Sequence, residues 1–417
     1  MSSSLPTTPR RNYKDSNQEE RKDWKPETTS ELDSDSDNGW SQNKIICAAI
    51  GLIALLITAA STPHLLDISK QGLRAKAMIP VFPVSSNHWS LMSGLYAESS
   101  GMVANNFWDP VTQSEFHYNQ IESAWVSRWW LGEPMWETAG RAGIITANLM
   151  WPGPPKTTTG ATPTYFVPWE HTNPPSTKQA TKPAPNSALV NQTLTQVDLF
   201  AKNLHTALVV RNLTDIVDIV FVSDHGMTDT SHPEHIYIDD ILGADAYNAI
   251  AHEDGWPSMG LRFAEDAGVN VSEIARESKG KFDVYTHETM PGRYHFSKSE
   301  RIAPVYVVPK IGYVLTTHAE GDVGMSKGNH GYDNPRTLHA CHVLKILHES
   351  RSSRLARLLP KSLSLSRPNK GWHSTSDDTY VMDKFENVQI YSLVMRLLGV
   401  QRLAPTNGSA AFWDKYF

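Results

Sequence analysis

From Thr62 onward, short apolar runs alternate with stretches whose apolar residues recur at helical spacing. Met78–Pro83 (MIPVFP) and Ile216–Ser223 (IVDIVFVS) have the length and β-branched content of buried strands. Val190–Val210 places apolar residues three and four positions apart, which predicts a helix leading into the second of these strands. Arg301–Leu315 (RIAPVYVVPKIGYVL) is a third β-rich stretch. Such alternation predicts an α/β domain whose central sheet is mostly parallel and flanked by helices. The chain shows no internal repeat.

Two N-terminal segments break this pattern. Residues 1–43 are rich in Ser, Asp, Glu, Lys and Pro and nearly devoid of large aliphatics, so they are expected to be a disordered tail. Within it, Glu31–Asp37 (ELDSDSD) reads either as a phosphorylatable acidic tract or as a solubilising one. Residues 45–60 (IICAAIGLIALLITAA) follow, and no charge occurs between Lys44 and His64. The run is slightly short of the ~20 residues that span a bilayer core, and flanking Ser, Thr and Pro extend it. It lies too far along the chain for a standard signal peptide. The expectation is therefore a single-pass transmembrane signal anchor over 44–61, with a buried core helix as the alternative. Lys and Arg flank both ends similarly, so charge does not orient it. Asn-x-Ser/Thr sequons at Asn191, Asn212, Asn270 and Asn407 all follow the run and weakly favour a luminal or extracellular C-terminal domain.

The globular domain is then expected over 62–417, with two atypical inserts. Residues 154–185 are dense in Thr, Pro and Lys, a loop composition. Residues 343–370 turn basic and Ser/Leu-rich. They read as a basic amphipathic helix ended by Pro360, as a plain surface helix, or as sequence foreign to the native coding frame.

Composition adds little. A formal net charge of −6 gives no reason to expect nucleic-acid binding, and an anionic ligand would need metals or a local basic pocket. The two cysteines, Cys47 and Cys341, provide no disulfide framework.

The chemistry concentrates in three places. Ile219–Met227 (IVFVSDHGM) runs an apolar strand straight into Asp-His-Gly. Ligands of open α/β sheets bind at the carboxyl ends of strands, where Asp224 and His225 would emerge. A carboxylate beside an imidazole suits Zn²⁺. In Gly328–Asn334 (GNHGYDN), His330 stands between two glycines and is a candidate third ligand. In the third region, Asn87 is a candidate donor to an anionic oxygen. Trp89 and Phe107 there are candidates for an aromatic substrate wall, core packing being the commoner fate of such residues.

Longer motifs carry a resemblance. MIPVFP, NHWSLMSGLYAESSGMVANNFWDP, WWLGEPMWETAGRAG, FVSDHGMTDTS, IYIDDIL, GNHGYDN and WHSTSDDTYVMD resemble the ectonucleotide pyrophosphatase/phosphodiesterase family, within the alkaline phosphatase superfamily. The resemblance runs from about Thr62 to the end, with gaps. It implies an alkaline-phosphatase-like fold and a type II membrane protein whose catalytic domain is luminal, vacuolar or extracellular. It also implies a nucleotide or phosphodiester substrate, cleaved to a nucleoside 5′-monophosphate by a Thr nucleophile with two Zn²⁺ ions. Asp224 and His225 match the family's Asp-His pair, His330 its late His, and Asn87 the Asn that binds phosphoryl oxygens.

Other family positions are absent. The membrane run leads directly into Thr62-Pro63-His64, so the first strand with its metal-binding Asp is missing and the domain reads as truncated. Val84 stands where the family has its Thr nucleophile, leaving Ser85 or Ser86 as surrogates displaced by one or two residues. The family's Asp-x-x-x-His pair is replaced by HTNPPSTKQATKPAP, in which only His171 is a ligand candidate. Three readings follow: an active hydrolase, a non-catalytic relative that keeps nucleotide binding or serves interaction, and a chain altered at misplaced exon boundaries.

Overall fold

The computed structural model describes residues 62–70, 72–83, 87–169, 184–185, 187–214, 216–265, 267–321, 327–333, 344–346 and 380–416. The expected tail (1–43), the expected anchor (44–61), Ser85, Ser86 and His171 lie outside the described residues, as does most of 343–370. No helix among the described residues is long and apolar enough to cross a membrane.

The first half runs α1 (Pro63–Ser69), β1 (Gly72–Ala75), β2 (Met78–Ile79), α2 (Asn87–Ser93), α3 (Ala97–Ser100), β3 (Asn106–Asp109), β4 (Ser114–His117), α4 (Ile121–Ala124), α5 (Met135–Arg141), β5 (Ala147–Trp151), β6 (Tyr165–Pro168) and α6 (Ala188–Val210). The second half runs β7 (Val220–Phe221), β8 (Thr228–Asp229), β9 (Glu234–Tyr237), α7 (Ile238–Asn248), β10 (Ile250–Asp254), β11 (Met259–Phe263), α8 (Val271–Glu277), β12 (Phe282–Tyr285), β13 (Val305–Pro309), β14 (Tyr313–Thr316), β15 (Gly328–Asn329), β16 (Leu344–Ile346), β17 (Tyr380–Met382), β18 (Phe385–Glu386) and α9 (Gln389–Leu398).

The α/β character expected from the sequence holds, but the mostly parallel sheet does not. One four-stranded sheet has the order β17–β1–β16–β7, with only β17–β1 parallel. The other, β10–β11–β13–β12, is antiparallel throughout. Parallel neighbours need a long crossover, and only a short turn joins β10 to β11. Strand direction leaves no trace in hydrophobic periodicity. The Thr/Pro-rich stretch expected to be a loop contains β6, which pairs in parallel with β5.

The helix expected from Val190 is α6, and its start is capped by Ser187, whose hydroxyl accepts from the Val190 amide at 3.3 Å. α6 in turn holds α1. Asp198, 2% exposed, accepts from the His64 amide at 3.0 Å and the Leu65 amide at 2.7 Å. Those amides open α1 and have no partner within the helix. Leu65 and Ile68 of α1 then pack on Ala201 and Ile219.

The main core is aromatic. Trp89 of α2 meets Trp130 at 5.3 Å, Trp136 at 5.8 Å and Trp151 at 6.0 Å between ring centroids. Its indole donates to the Leu131 carbonyl at 2.7 Å, which satisfies the one polar atom it buries. Phe107 stacks on Phe116 at 5.0 Å and meets Trp129 edge-on. Arg301 crosses this region, with Nε 3.1 Å from Asp109 Oδ2 and Nη1 donating to the Gly101 and Trp129 carbonyls. A second apolar cluster, including Ile236, Met259, Leu261, Val305 and Val307, lies on the antiparallel sheet.

Two predictions follow from these contacts. Asp198→Ala strips the acceptor from two buried amides and should destabilise the fold by about 2 kcal/mol in urea unfolding, with Asp198→Asn intermediate. The second concerns Asp254 at the end of β10, which accepts from the Trp108 amide at 2.9 Å. Burial pushes its carboxyl up to about 6, against the pull of that amide and of Arg262, whose Nε lies 3.4 Å away. Between about pH 4 and 6 the folded chain therefore holds a proton that the unfolded chain has released, so this residue's contribution to stability falls as pH rises through that window. The difference between wild type and Asp254→Asn should change by about 3 kcal/mol from pH 4 to pH 7. Equal pH slopes for the two proteins would refute this.

Candidate active site

The site begins where β7 ends. Ile219 and Val220 are buried, and the chain then breaks out of the sheet at Ser223, Asp224 and His225. The Ser223 hydroxyl donates to the His225 carbonyl at 2.8 Å and closes the turn. Asp224 is 3% exposed. His225 Nε2 lies 3.1 Å from Asp224 Oδ2, and His225 Nδ1 lies 2.8 Å from the Gly226 carbonyl. A carbonyl can only accept, so Nδ1 carries the proton. Nε2 therefore faces the carboxylate in a geometry that needs a proton or a cation between the two atoms.

His330 arrives from a distant part of the chain. The antiparallel pairing of β15 with β8 sets Asn329 opposite Thr228. The next residue, His330, then stacks on His225 with ring centroids 3.8 Å apart. The buried Asn329 side chain accepts from the His330 amide at 2.9 Å and fixes the turn. Gly331 follows at φ +97°, and a Cβ there would meet Pro257 at 3.1 Å. Both the conformation and the space call for glycine.

The sequence reading passed over His88. At the start of α2 its Nδ1 lies 3.5 Å from Asp224 Oδ2, with the side chain 20% exposed. The signal available was its place between Asn87 and Trp89. Two imidazoles, of His225 and His88, thus lie within 3.5 Å of one buried carboxyl, and the His330 ring stacks on the first. Burial alone would raise the Asp224 pKa, but the His225 hydrogen bond and the charges of His225, His88 and His330 outweigh it and hold the group well below the usual carboxylate range. Burial lowers the His88 pKa below 6.5, with Asp224 pulling the other way.

The other candidates sit deeper. Asn87 is fully buried, and its Oδ1 accepts from the Val81 amide at 2.8 Å and from Asn387 Nδ2 at 2.6 Å. Trp89 and Phe107, each 2% exposed, are members of the aromatic core.

Similarity to known proteins agrees with this architecture. The type I phosphodiesterase / nucleotide pyrophosphatase family matches residues 51–184 and 175–333. The chain belongs to this family of hydrolases. It is 29% identical to an uncharacterised pyrophosphatase/phosphodiesterase of Schizosaccharomyces pombe over 414 residues, covering 89% of this chain and 80% of that one. It is 27% identical to the bis(5′-adenosyl)-triphosphatase enpp4 of Xenopus laevis, covering 90% and 81%. The fold is also that of murine ectonucleotide pyrophosphatase/phosphodiesterase 5, with a TM-score of 0.70 at 24% identity, covering 89% of this chain and 98% of that one.

The family's two zinc ions can be tested against these residues. The Asp224–His225 pair has the spacing and tautomer of a metal-binding pair. The set stops there: His330 is stacked on His225, and the donor atoms of Asp224, His225, His330 and His88 do not gather within 4.8 Å of one another. Among the described residues, only Asp239, Asp240 and His318 form such a group. Zn²⁺ ordinarily takes three or four convergent protein ligands. The described residues do not fit a two-zinc centre.

One titration tests the electrostatics. His88 should titrate below 6.5 by NMR, and Asp224→Asn should move it further down by removing the charge that raises it. An upward shift would contradict the arrangement.

Proposed function

We propose that this chain is a nucleotide-binding member of its hydrolase family in which phosphoester cleavage is strongly attenuated. The observation that carries this reading is the non-convergence of the Asp224, His225 and His330 donor atoms, which leaves the family's metal chemistry without its ligand set. Val84, at the position of the family's Thr, removes the nucleophile as well. Ser85 and Ser86 are displaced along the chain, and a shift of even ~1 Å from productive geometry costs about 100-fold in rate.

Binding is the property that survives such losses. In the murine relative, an inactive threonine-to-alanine variant was solved in complex with AMP, so loss of activity in that protein leaves the nucleotide bound. Transferred to this chain, the substrate class is a nucleotide or nucleoside phosphodiester. The phosphoryl group would lie near His88, His225 and His330, with Asn87 holding this wall in place through Val81 and Asn387. A complete site would release a nucleoside 5′-monophosphate.

The test combines three measurements on the full chain. AMP should bind by calorimetry, metal analysis should find less than one zinc per chain, and hydrolysis of a p-nitrophenyl nucleotide ester should run at least about 100-fold below an intact family member. Val84→Thr alone should not restore the rate. Two zincs per chain, with turnover abolished by Asp224→Ala, would replace this reading with that of a working phosphodiesterase. Failure to bind AMP would end it.

A further inference from the structure

Trp256 differs from the other tryptophans. Trp89, Trp129 and Trp413 are 2% exposed or less, whereas Trp256 is 39% exposed, the most of any described tryptophan. It is nevertheless held in place. Its indole donates to the Leu315 carbonyl at 3.0 Å, which satisfies the one polar atom of the ring. The Gly255 amide before it donates to the Asn106 carbonyl at 3.2 Å, and the Ser258 hydroxyl beyond it donates to the Gly331 carbonyl at 2.7 Å. Gly255 has φ +72°, and a Cβ there would lie 3.2 Å from the Ser258 carbonyl oxygen. Trp256 is thus a fixed ring whose open surface is aromatic carbon.

That ring borders the candidate site. Trp256, Pro257 and Ser258 line a recess, partly open to solvent, with about 320 Å³ of atom-free space; His330 and Gly331 belong to the same wall. His88 lines a separate, larger groove of about 850 Å³, together with Met92, Met135 and Met395. Two of the imidazoles at the site therefore each front a recess. A phosphomonoester carries one organic group on its phosphorus and a phosphodiester carries two. Two recesses on one phosphoryl-binding wall suit the diester. Among the described residues that line the Trp256 recess there is no Asp, Glu, Lys or Arg, so a neutral group fits it better than a further phosphate.

We infer that Trp256 is a specificity-determining residue, the platform on which the second, aromatic group of a nucleoside phosphodiester stacks. The inference rests on the nucleotide-binding reading above, which sets the phosphoryl group near His88, His225 and His330. A planar aromatic group meets an indole face over its whole area, with offset stacking added to apolar contact, whereas a small alkyl group covers only part of the ring. The platform is also fixed in advance by the contacts to Leu315, Asn106 and Gly331. It loses little freedom when a ligand arrives, so the stacking contact appears as affinity. The ligand class is therefore a nucleoside 5′-phosphodiester whose other ester group is a neutral aromatic ring, a second nucleoside included.

Calorimetry on the full chain with two esters of thymidine 5′-phosphate tests this. The methyl and p-nitrophenyl esters carry the same charge and the same nucleoside, and differ in the aromatic group. Wild type should bind the p-nitrophenyl ester at least about tenfold more tightly than the methyl ester. Trp256→Ala should bring that ratio to within about twofold of one and leave methyl-ester affinity unchanged, while Trp256→Phe should keep most of the preference. A wild-type ratio near one would overturn the inference, whether or not Trp256→Ala folds. So would a preference that Trp256→Ala leaves intact. In both of these cases the methyl ester still binds and the nucleotide-binding reading stands. If neither ester binds to wild type, that reading falls and the inference falls with it.

Discussion

A carboxylate buried to 3% exposure is the constraint around which the site is organised. Asp224 leaves water at the end of β7, and its charge is sustained only by groups that donate or carry positive charge. His225 comes from the same turn, His88 from α2 and His330 from the β8–β15 ladder. These three places are joined by sheet register and by helix packing, so the carboxyl links the two halves of the chain. Removing any one of them leaves the buried charge under-compensated.

The same arrangement bears on the proposal that family membership and working chemistry separate in this chain. The architecture that gathers Asp224, His225 and His330 survives because it is written in long-range packing: the tryptophan cluster around Trp89, the capping of α1 by Asp198, and the pairing of Asn329 with Thr228. Catalysis asks for more. It needs a nucleophile and a full set of convergent ligands, each on its own short segment, and on the proposed reading those segments are where this chain departs. A fold tolerates the loss of one ligand segment far better than a metal centre does, because packing energy is spread over many residues while coordination is concentrated in a few.

The sequence by itself determined the α/β character, the family, the helix over Val190–Val210, and the motifs in which Asp224, His225 and His330 stand. Those signals are local: periodicity along one segment, or a residue order that survives in a short motif. Tertiary structure alone decided the rest. Sheet direction turned out mixed, because the apolar pattern along a strand carries no information on the direction of its neighbours. The Thr/Pro-rich stretch contributed β6, because a strand needs a neighbour more than a composition. Trp89 and Phe107 went to the core, where large aromatic surface is most stabilised. His88 joined the site although no spacing announced it, since α2 and β7 meet only after folding. Whether four donor atoms converge is a matter of a few ångströms across segments far apart in the chain, and distances of that kind exist only in three dimensions.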